Sequence, residues 1–254
     1  YQVSKLRIFQ NQGPGQYAIL NDDDRVLERF EPSGDVSVLR YGRTHNRKRQ
    51  AFLEGTAIHA TANGTQTHTF DTRKVKLLGD HNRENLMGGI LAGLAMALDP
   101  RSIQRTMDHF RGLPHRLEWV GKVNDVLFVN DSKATNVDAA VKAVRSFNRQ
   151  IILIAGGRHK GSDYTPLVSA SKGRVKHAVF LGESREMLGR AFHNAIPFTY
   201  AGDMNDAVSK GFAAARANDV VMLAPACASF DMFTDYAHRG DVFKQAVEGF
   251  KNAG

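Results

Sequence analysis

A single cysteine, Cys227, serves the whole of this 254-residue chain. That excludes an intramolecular disulfide framework and any cysteine-rich zinc site, and it suits a reducing cytoplasm. Taken alone, the residue reads as a small buried hydrophobe. No apolar run reaches the length of a membrane span, so no membrane helix is expected. Several catalytic signatures are also missing: the sequence holds no G-x-x-x-x-G-K-[ST] phosphate loop, no H-E-x-x-H pair and no G-x-S-x-G elbow. With them goes a self-contained hydrolytic or phosphoryl-transfer engine. Tyr1 is preceded by neither an initiator Met nor a signal-peptide pattern, which leads us to expect that the sequence starts inside a longer polypeptide.

Acidic residues are outnumbered as well. Against 34 Lys and Arg stand 26 Asp and Glu, a formal charge of +8, and the pI is near 9.7. Such a balance favours polyanionic partners, whether nucleic acid, anionic lipid or phosphorylated metabolites. The length suffices for two ordinary domains, each with its own core.

In chain order, Val3, Leu6 and Phe9 with Lys5 and Arg7 between them read as a short amphipathic helix end, Lys5 being a solvated surface lysine on this pattern. Tyr17 to Asn21 reads as a strand running into the acidic turn Asp22-Asp23-Asp24. The basic run Arg40, Arg43, Arg47, Lys48 and Arg49 reads as an exposed loop or hairpin face; a nucleic-acid patch is the alternative, with only Tyr41 available to stack on bases. Residues 51 to 78 alternate in short β-like runs around Asn63-Gly64, a pair suited to a type I′ turn, and predict an antiparallel accessory sheet. Gly79-Asp80-His81-Asn82 leads into an Ala-, Leu- and Gly-rich helix from about Arg83 to Leu98. Asp99-Pro100 ends it, and a second helix covers about Ser102 to His109.

Beyond Gly112-Leu113-Pro114 the texture changes. Apolar runs at 126–129, 151–155, 178–181, 196–200 and 220–224 are separated by polar turns and helical periodicity, which predicts a mostly parallel sheet covered on both faces. We place the domain boundary there, giving domains 1–112 and 113–254. Ligands of such sheets sit beyond the carboxyl ends of the strands. Three turns fall there: 130–136, Gly156-Gly157-Arg158-His159-Lys160 and Pro225-Ala226-Cys227-Ala228-Ser229.

In the first of these, Val137, Ala140, Val141 and Val144 follow at helical spacing, and Thr135 and Asp138 have capping-box spacing. A helix N-terminus with Lys133 and a hydroxyl acceptor, Asp131, would suit an anion; a well-capped helix with solvated polar residues fits equally well. The glycine pair 156–157 allows close approach of backbone to a ligand, with Arg158, His159 and Lys160 as cations. Phe230, Phe233 and Tyr236 at helical spacing read as core, with Ser229 as an N-cap.

Taken together, G-D-H-N at 79–82 with Asn85, G-L-P-H-R at 112–116, N-D-S-K-A-T-N at 130–136, A-G-G-R-H-K at 155–160 and P-A-C-A-S-F-D-M-F at 225–233 resemble the Mur ligases over nearly the whole sequence. The resemblance implies the later part of a central α/β ATPase domain with an antiparallel accessory sheet, followed by a Rossmann-like, doubly wound C-terminal domain. It implies a cytoplasmic, monomeric ligase of peptidoglycan precursor synthesis using ATP and Mg2+ to add D-glutamate to UDP-N-acetylmuramoyl-L-alanine, with the remainder of the site upstream and this segment inactive alone. By the same resemblance, Asn82 and Asn85 contact adenine, Arg116 and Asp131 hold ATP, and Lys133 meets phosphate or developing negative charge. Thr135, Lys160, Ser229, Phe230 and Tyr236 form the amino-acid pocket, Tyr236 standing where Phe is common. Lys5 matches a lysine that carbon dioxide converts to a magnesium-binding carbamate. The basic run 40–49 has no recognised counterpart, and Arg158-His159 replaces a less basic pair. The alternatives are a Mur-type ligase for another amino acid, such as L-glutamate, a basic nucleic-acid-binding module, or a nucleotide-binding regulatory domain without catalysis.

Overall fold

A computed structural model describes residues 2–62, 64, 66–75, 77 and 79–252, and the chain divides into two units, Tyr1–Arg111 and Gly112–Gly254. The first unit opens with α1 (Gln2–Leu6), which buries none of its residues, followed by a 3-10 turn at Arg7–Phe9. The amphipathic pattern read at this end is buried only in part: Val3 is exposed, while the half-buried Phe9 sets its ring 5.1 Å from that of Phe30.

Five strands follow, β1 (Tyr17–Asn21), β2 (Ser37–Gly42), β3 (Ala51–Glu54), β4 (Ala57–Ala60) and β5 (His68–Asp71), in that spatial order. Strands β1 to β3 pair in parallel, and β3 to β5 antiparallel. The turn read at Asn63-Gly64 falls, at Asn63, outside the described residues. Helix α2 (Asp80–Ala95) lays Met87, Ile90, Leu91 and Leu94 against Leu39, Ile58 and Phe70 of the sheet. In α3 (Pro100–His109), Asp99 caps the start by accepting from Ser102 N–H, and proline occupies the first turn, where its missing donor is not needed.

The basic run departs from its expected exposure. Arg40 is buried, donating to Asp22 at 3.1 Å, Glu31 at 2.8 Å and the carbonyls of Leu27 and Phe30. Arg49 spans Asp22 and Asp23 at 3.1 and 3.0 Å. The acidic turn and the basic run are halves of one ion-pair network at the ends of β1 and β2. A buried guanidinium needs its acceptors supplied internally, and these two arginines have them. What the nucleic-acid alternative can draw on is thereby reduced to Arg43, Arg47 and Lys48, of which Arg43 already faces Asp23 and Glu84.

The second unit contains β6 (Glu118–Val123), β7 (Val126–Asn130), α4 (Val137–Arg145), β8 (Ile151–Gly156), α5 (Thr165–Ser171), β9 (Val175–Leu181), α6 (Arg185–Phe192), β10 (Phe198–Tyr200), α7 (Met204–Ala214), β11 (Val220–Leu223) and α8 (Tyr236–Asn252). The sheet order is β10-β9-β8-β11-β7-β6, parallel throughout except for β6. Strands β7, β8 and β11 are buried at every residue, as the continuous apolar runs require. Phe128, Ile152, Ile154 and Val221 pack with Met204 and Val208 of α7 and Phe243 and Val247 of α8. On α6, Phe192 meets the Phe180 ring at 5.1 Å between centroids. After β7 the chain crosses to β8, proceeds outward to β10, then returns to insert β11 between β7 and β8. That reversal opens a crevice at the carboxyl ends of these strands. Among the described residues no helix is long and apolar enough to cross a membrane.

Candidate active site

Three turns meet at that crevice. The backbone joins them first: Asp131 N–H donates to Leu223 O at 2.8 Å, Ala226 N–H to Ala134 O at 2.9 Å and Gly156 N–H to Pro225 O at 2.9 Å, while Arg158 and Ala228 pair as a two-residue antiparallel bridge. Gly157 has φ +134°, and a Cβ there would stand 2.1 Å from Ala228 O, so glycine is what lets the second and third turns touch.

Arg239 of α8 then ties all three together. It is 1% exposed, and it donates to Ser132 Oγ and O, both at 2.9 Å, to Cys227 O at 3.2 Å, to Ala228 O at 3.3 Å and to Gly156 O at 3.5 Å. Burial lowers its pKa to about 10, which still leaves it charged at neutral pH. The sequence alone gave Arg239 no role, yet a signal was present: Arg239, Phe243, Ala246 and Val247 fall on one buried stripe of α8, where an isolated cation must have acceptors.

The turn after β7 is fastened from a further side. Buried Asn130 sits against His115 at 3.0 Å and donates to Glu118 at 3.0 Å, and Lys133 N–H donates to His115 O at 3.1 Å. Lys133 places its ammonium 3.7 Å from the centre of the Tyr236 ring, a cation–π contact. Asp131 accepts from Leu117 N–H at 3.3 Å. Burial raises its pKa to about 6, opposed by that hydrogen bond and by the charge of Arg116.

A carboxyl that holds its proton more tightly folded than unfolded adds stability below the unfolded pKa and loses it as pH rises through about 6. Asp131→Asn should therefore be more stable than the parent at pH 8 by about 1–2 kcal/mol, discounted for partial exposure, and equal to it near pH 4. Urea unfolding at both values measures this; a variant less stable at pH 8 would contradict the assignment.

Each residue singled out from the sequence can now be located. Arg116, Asp131, Lys133, Thr135, Lys160, Ser229, Phe230 and Tyr236 all belong to the second unit, on or beside the three turns; Lys5, Asn82 and Asn85 belong to the first. Lys160 is exposed, Ser229 is buried and Phe230 is 61% exposed, so Phe230 is not the core residue that helical spacing suggested. The reason is that no helix runs through it: residues 230–235 form turns, with Met232 and Phe233 donating to Ser229 O, and α8 begins at Tyr236. Ser229 is accordingly not a helix cap. Neither is Thr135, because Asn136 caps α4 through Ala139 N–H at 2.8 Å. Asn85 approaches Asn82 at 3.4 Å near the start of α2.

Residues 1–93 match the Mur ligase middle domain and residues 115–227 the Mur ligase glutamate ligase domain, between them most of the chain. The UDP-N-acetylmuramoylalanine–D-glutamate ligase of Pelotomaculum thermopropionicum is 38% identical over 99% of the chain and 56% of its own length. This chain belongs to the Mur ligase family. The ligase of the same name from Salinibacter ruber is also 38% identical, over 98% of the chain and 55% of the relative. The chain thus spans about half the length of the curated relatives it matches. Solved Mur-type structures share the fold: a murein peptide ligase from Psychrobacter arcticus aligns with TM-score 0.63 at 16% identity, covering 99% of this chain and 54% of that one. A pseudomurein peptide ligase type C from Methanothermus fervidus aligns with TM-score 0.64 at 12% identity, covering 91% and 56%.

Magnesium fits the described residues poorly. Among them no group of three or more His, Cys, Asp or Glu side chains could hold a metal ion. A carbamate on exposed Lys5 would supply oxygen from a single side chain, short of the six ligands the ion prefers.

Proposed function

We propose that this Mur ligase chain works in the ATP-dependent joining of D-glutamate to UDP-N-acetylmuramoyl-L-alanine, with ADP and phosphate as the other products. A carboxylate resists attack by an amine; transfer of the ATP γ-phosphoryl group to it makes an acyl phosphate, and the amine of glutamate then displaces phosphate. Every reactant is an anion, so positioning and charge compensation are the main tasks of the protein. On this reading Asp131 accepts from the ribose hydroxyls, while Arg116 and Lys133 face phosphate or the charge that develops at the acyl group. Lys133 leaves the Tyr236 ring for that stronger electrostatic partner. Lys160, Ser229 and Thr135 hold the carboxylates of glutamate, and Phe230 and Tyr236 wall the pocket. Asn82 and Asn85 offer amides to the adenine edge, and Lys5 offers a carbamate.

The observation that carries the proposal is the joining of the three turns: a hydroxyl acceptor, two lysines and a serine stand on loops tied to one another by Arg239 at the switch point of the sheet. The test is phosphate release by the complete polypeptide that carries these residues, supplied with ATP, UDP-N-acetylmuramoyl-L-alanine and single amino acids. Release dependent on both precursor and D-glutamate is expected. Dependence on L-glutamate instead would move the assignment within the family, and release indifferent to precursor would overturn it. The 254 residues alone, which hold no phosphate-binding loop motif, should release none.

A further inference from the structure

Lys160 sits in a loop that little else restrains. It is exposed, Gly161 follows at φ +75°, and among the described residues it has no hydrogen bond or ion pair. Its neighbour Arg158 reaches Glu183 at 3.3 Å, but both are exposed and the pair is worth little. The base of the loop is closed differently. His159 Nδ1 lies 2.9 Å from the Tyr164 hydroxyl, with the two rings 5.5 Å apart between centroids, so residues 160–163 are clasped between them.

The clasp is anchored inward. Tyr164 is buried, and its hydroxyl also meets Cys227 Sγ at 3.1 Å; Cys227, 1% exposed, meets Ser184 Oγ at 3.3 Å. A chain of side-chain contacts therefore runs from the turn after β9, through the turn after β11, to the turn after β8. Burial pushes both the phenol and the thiol above their ordinary pKa, so both keep their protons as donors. Ser184, Cys227, Tyr164 and His159 thus form one continuous hydrogen-bonded run of side chains.

The geometry points to His159 and Tyr164 as positioning residues that fix Lys160 for the carboxylate of the incoming amino acid. The inference rests on the function proposed above and assigns a task to the histidine beside this lysine. Fixing a flexible loop before binding removes an ordering cost that the ligand would otherwise bear.

The test is steady-state kinetics of the complete polypeptide with three variants. Tyr164→Phe, which removes one oxygen, and His159→Leu should each raise KM for D-glutamate about tenfold, the factor set by about one ordered residue, leaving kcat and KM for ATP within about twofold. His159→Asn, whose side-chain amide can accept from or donate to the Tyr164 hydroxyl in place of Nδ1, should restore most of the loss. Unchanged KM for glutamate in Tyr164→Phe and His159→Leu overturns the inference, as do equal losses for glutamate and ATP, or no rescue by asparagine. If His159→Leu fails to fold, Tyr164→Phe alone decides. A parent enzyme that turns over precursor with ATP but with no glutamate refutes the proposed function, and this inference with it; a normal parent with normal variants refutes the inference alone.

Discussion

Exchanging Arg239 for methionine should destabilise the second unit by about 3–5 kcal/mol, at the upper end of what single substitutions cost. Methionine fills similar volume and removes the desolvation cost of the charge, which by itself would stabilise. It also strips donors from Ser132 Oγ and from the carbonyls of Ser132, Gly156, Cys227 and Ala228. Ala228 O keeps its bond from Arg158 N–H and Ser132 Oγ its bond to Tyr236 O. The buried carbonyls of Ser132 and Cys227, however, lose the donor they share, at about 1–3 kcal/mol each, so the loss outweighs the gain. Lysine is expected to recover only part, since a point ammonium cannot fork toward both the first and the third turn. Urea unfolding gives the magnitude, and amide exchange gives the place: protection at 131–134, 156–158 and 226–228 should fall together. A variant in which those three segments exchange as in the parent would remove Arg239 from the account.

The parallel sheet was legible because its strands are covered on both faces and so carry unbroken apolar runs, β8 and β11 most plainly. The edge strand β6 was not, since polar Glu118 and exposed Trp119 and Lys122 interrupt the pattern on a bulged strand. Turn residues could be recognised at 130–136, 156–160 and 225–229 from their chemistry, but not the way they are held. Asn136 outcompeted Thr135 for the cap by one position, a difference local spacing does not resolve. The pairing of Arg40 and Arg49 with Asp22 and Asp23 joins residues 18 to 27 apart, across neighbouring strand ends. A sequence shows two opposite charge runs; only their packing side by side shows that they neutralise one another. The three turns were legible as polar turns after apolar strands; their scaffold was hidden, because it consists of long-range contacts to Arg239, His115 and Tyr164.

The second large effect concerns Lys160. If the turn after β8 exists to bind the carboxylate of an amino acid, removing its ammonium strips a charge-assisted contact of about 1.5–3 kcal/mol from that substrate. In the complete polypeptide, Lys160→Ala should then raise KM for D-glutamate about 10- to 100-fold while KM for ATP stays within about twofold. The nucleotide is assigned to other groups, Asp131 and Arg116, so its binding has no reason to change. The comparison of the two constants in one variant tests most directly whether these turns divide their labour between nucleotide and amino acid. A selective rise for glutamate is the predicted result; equal rises for both substrates, or none for glutamate, would contradict the account.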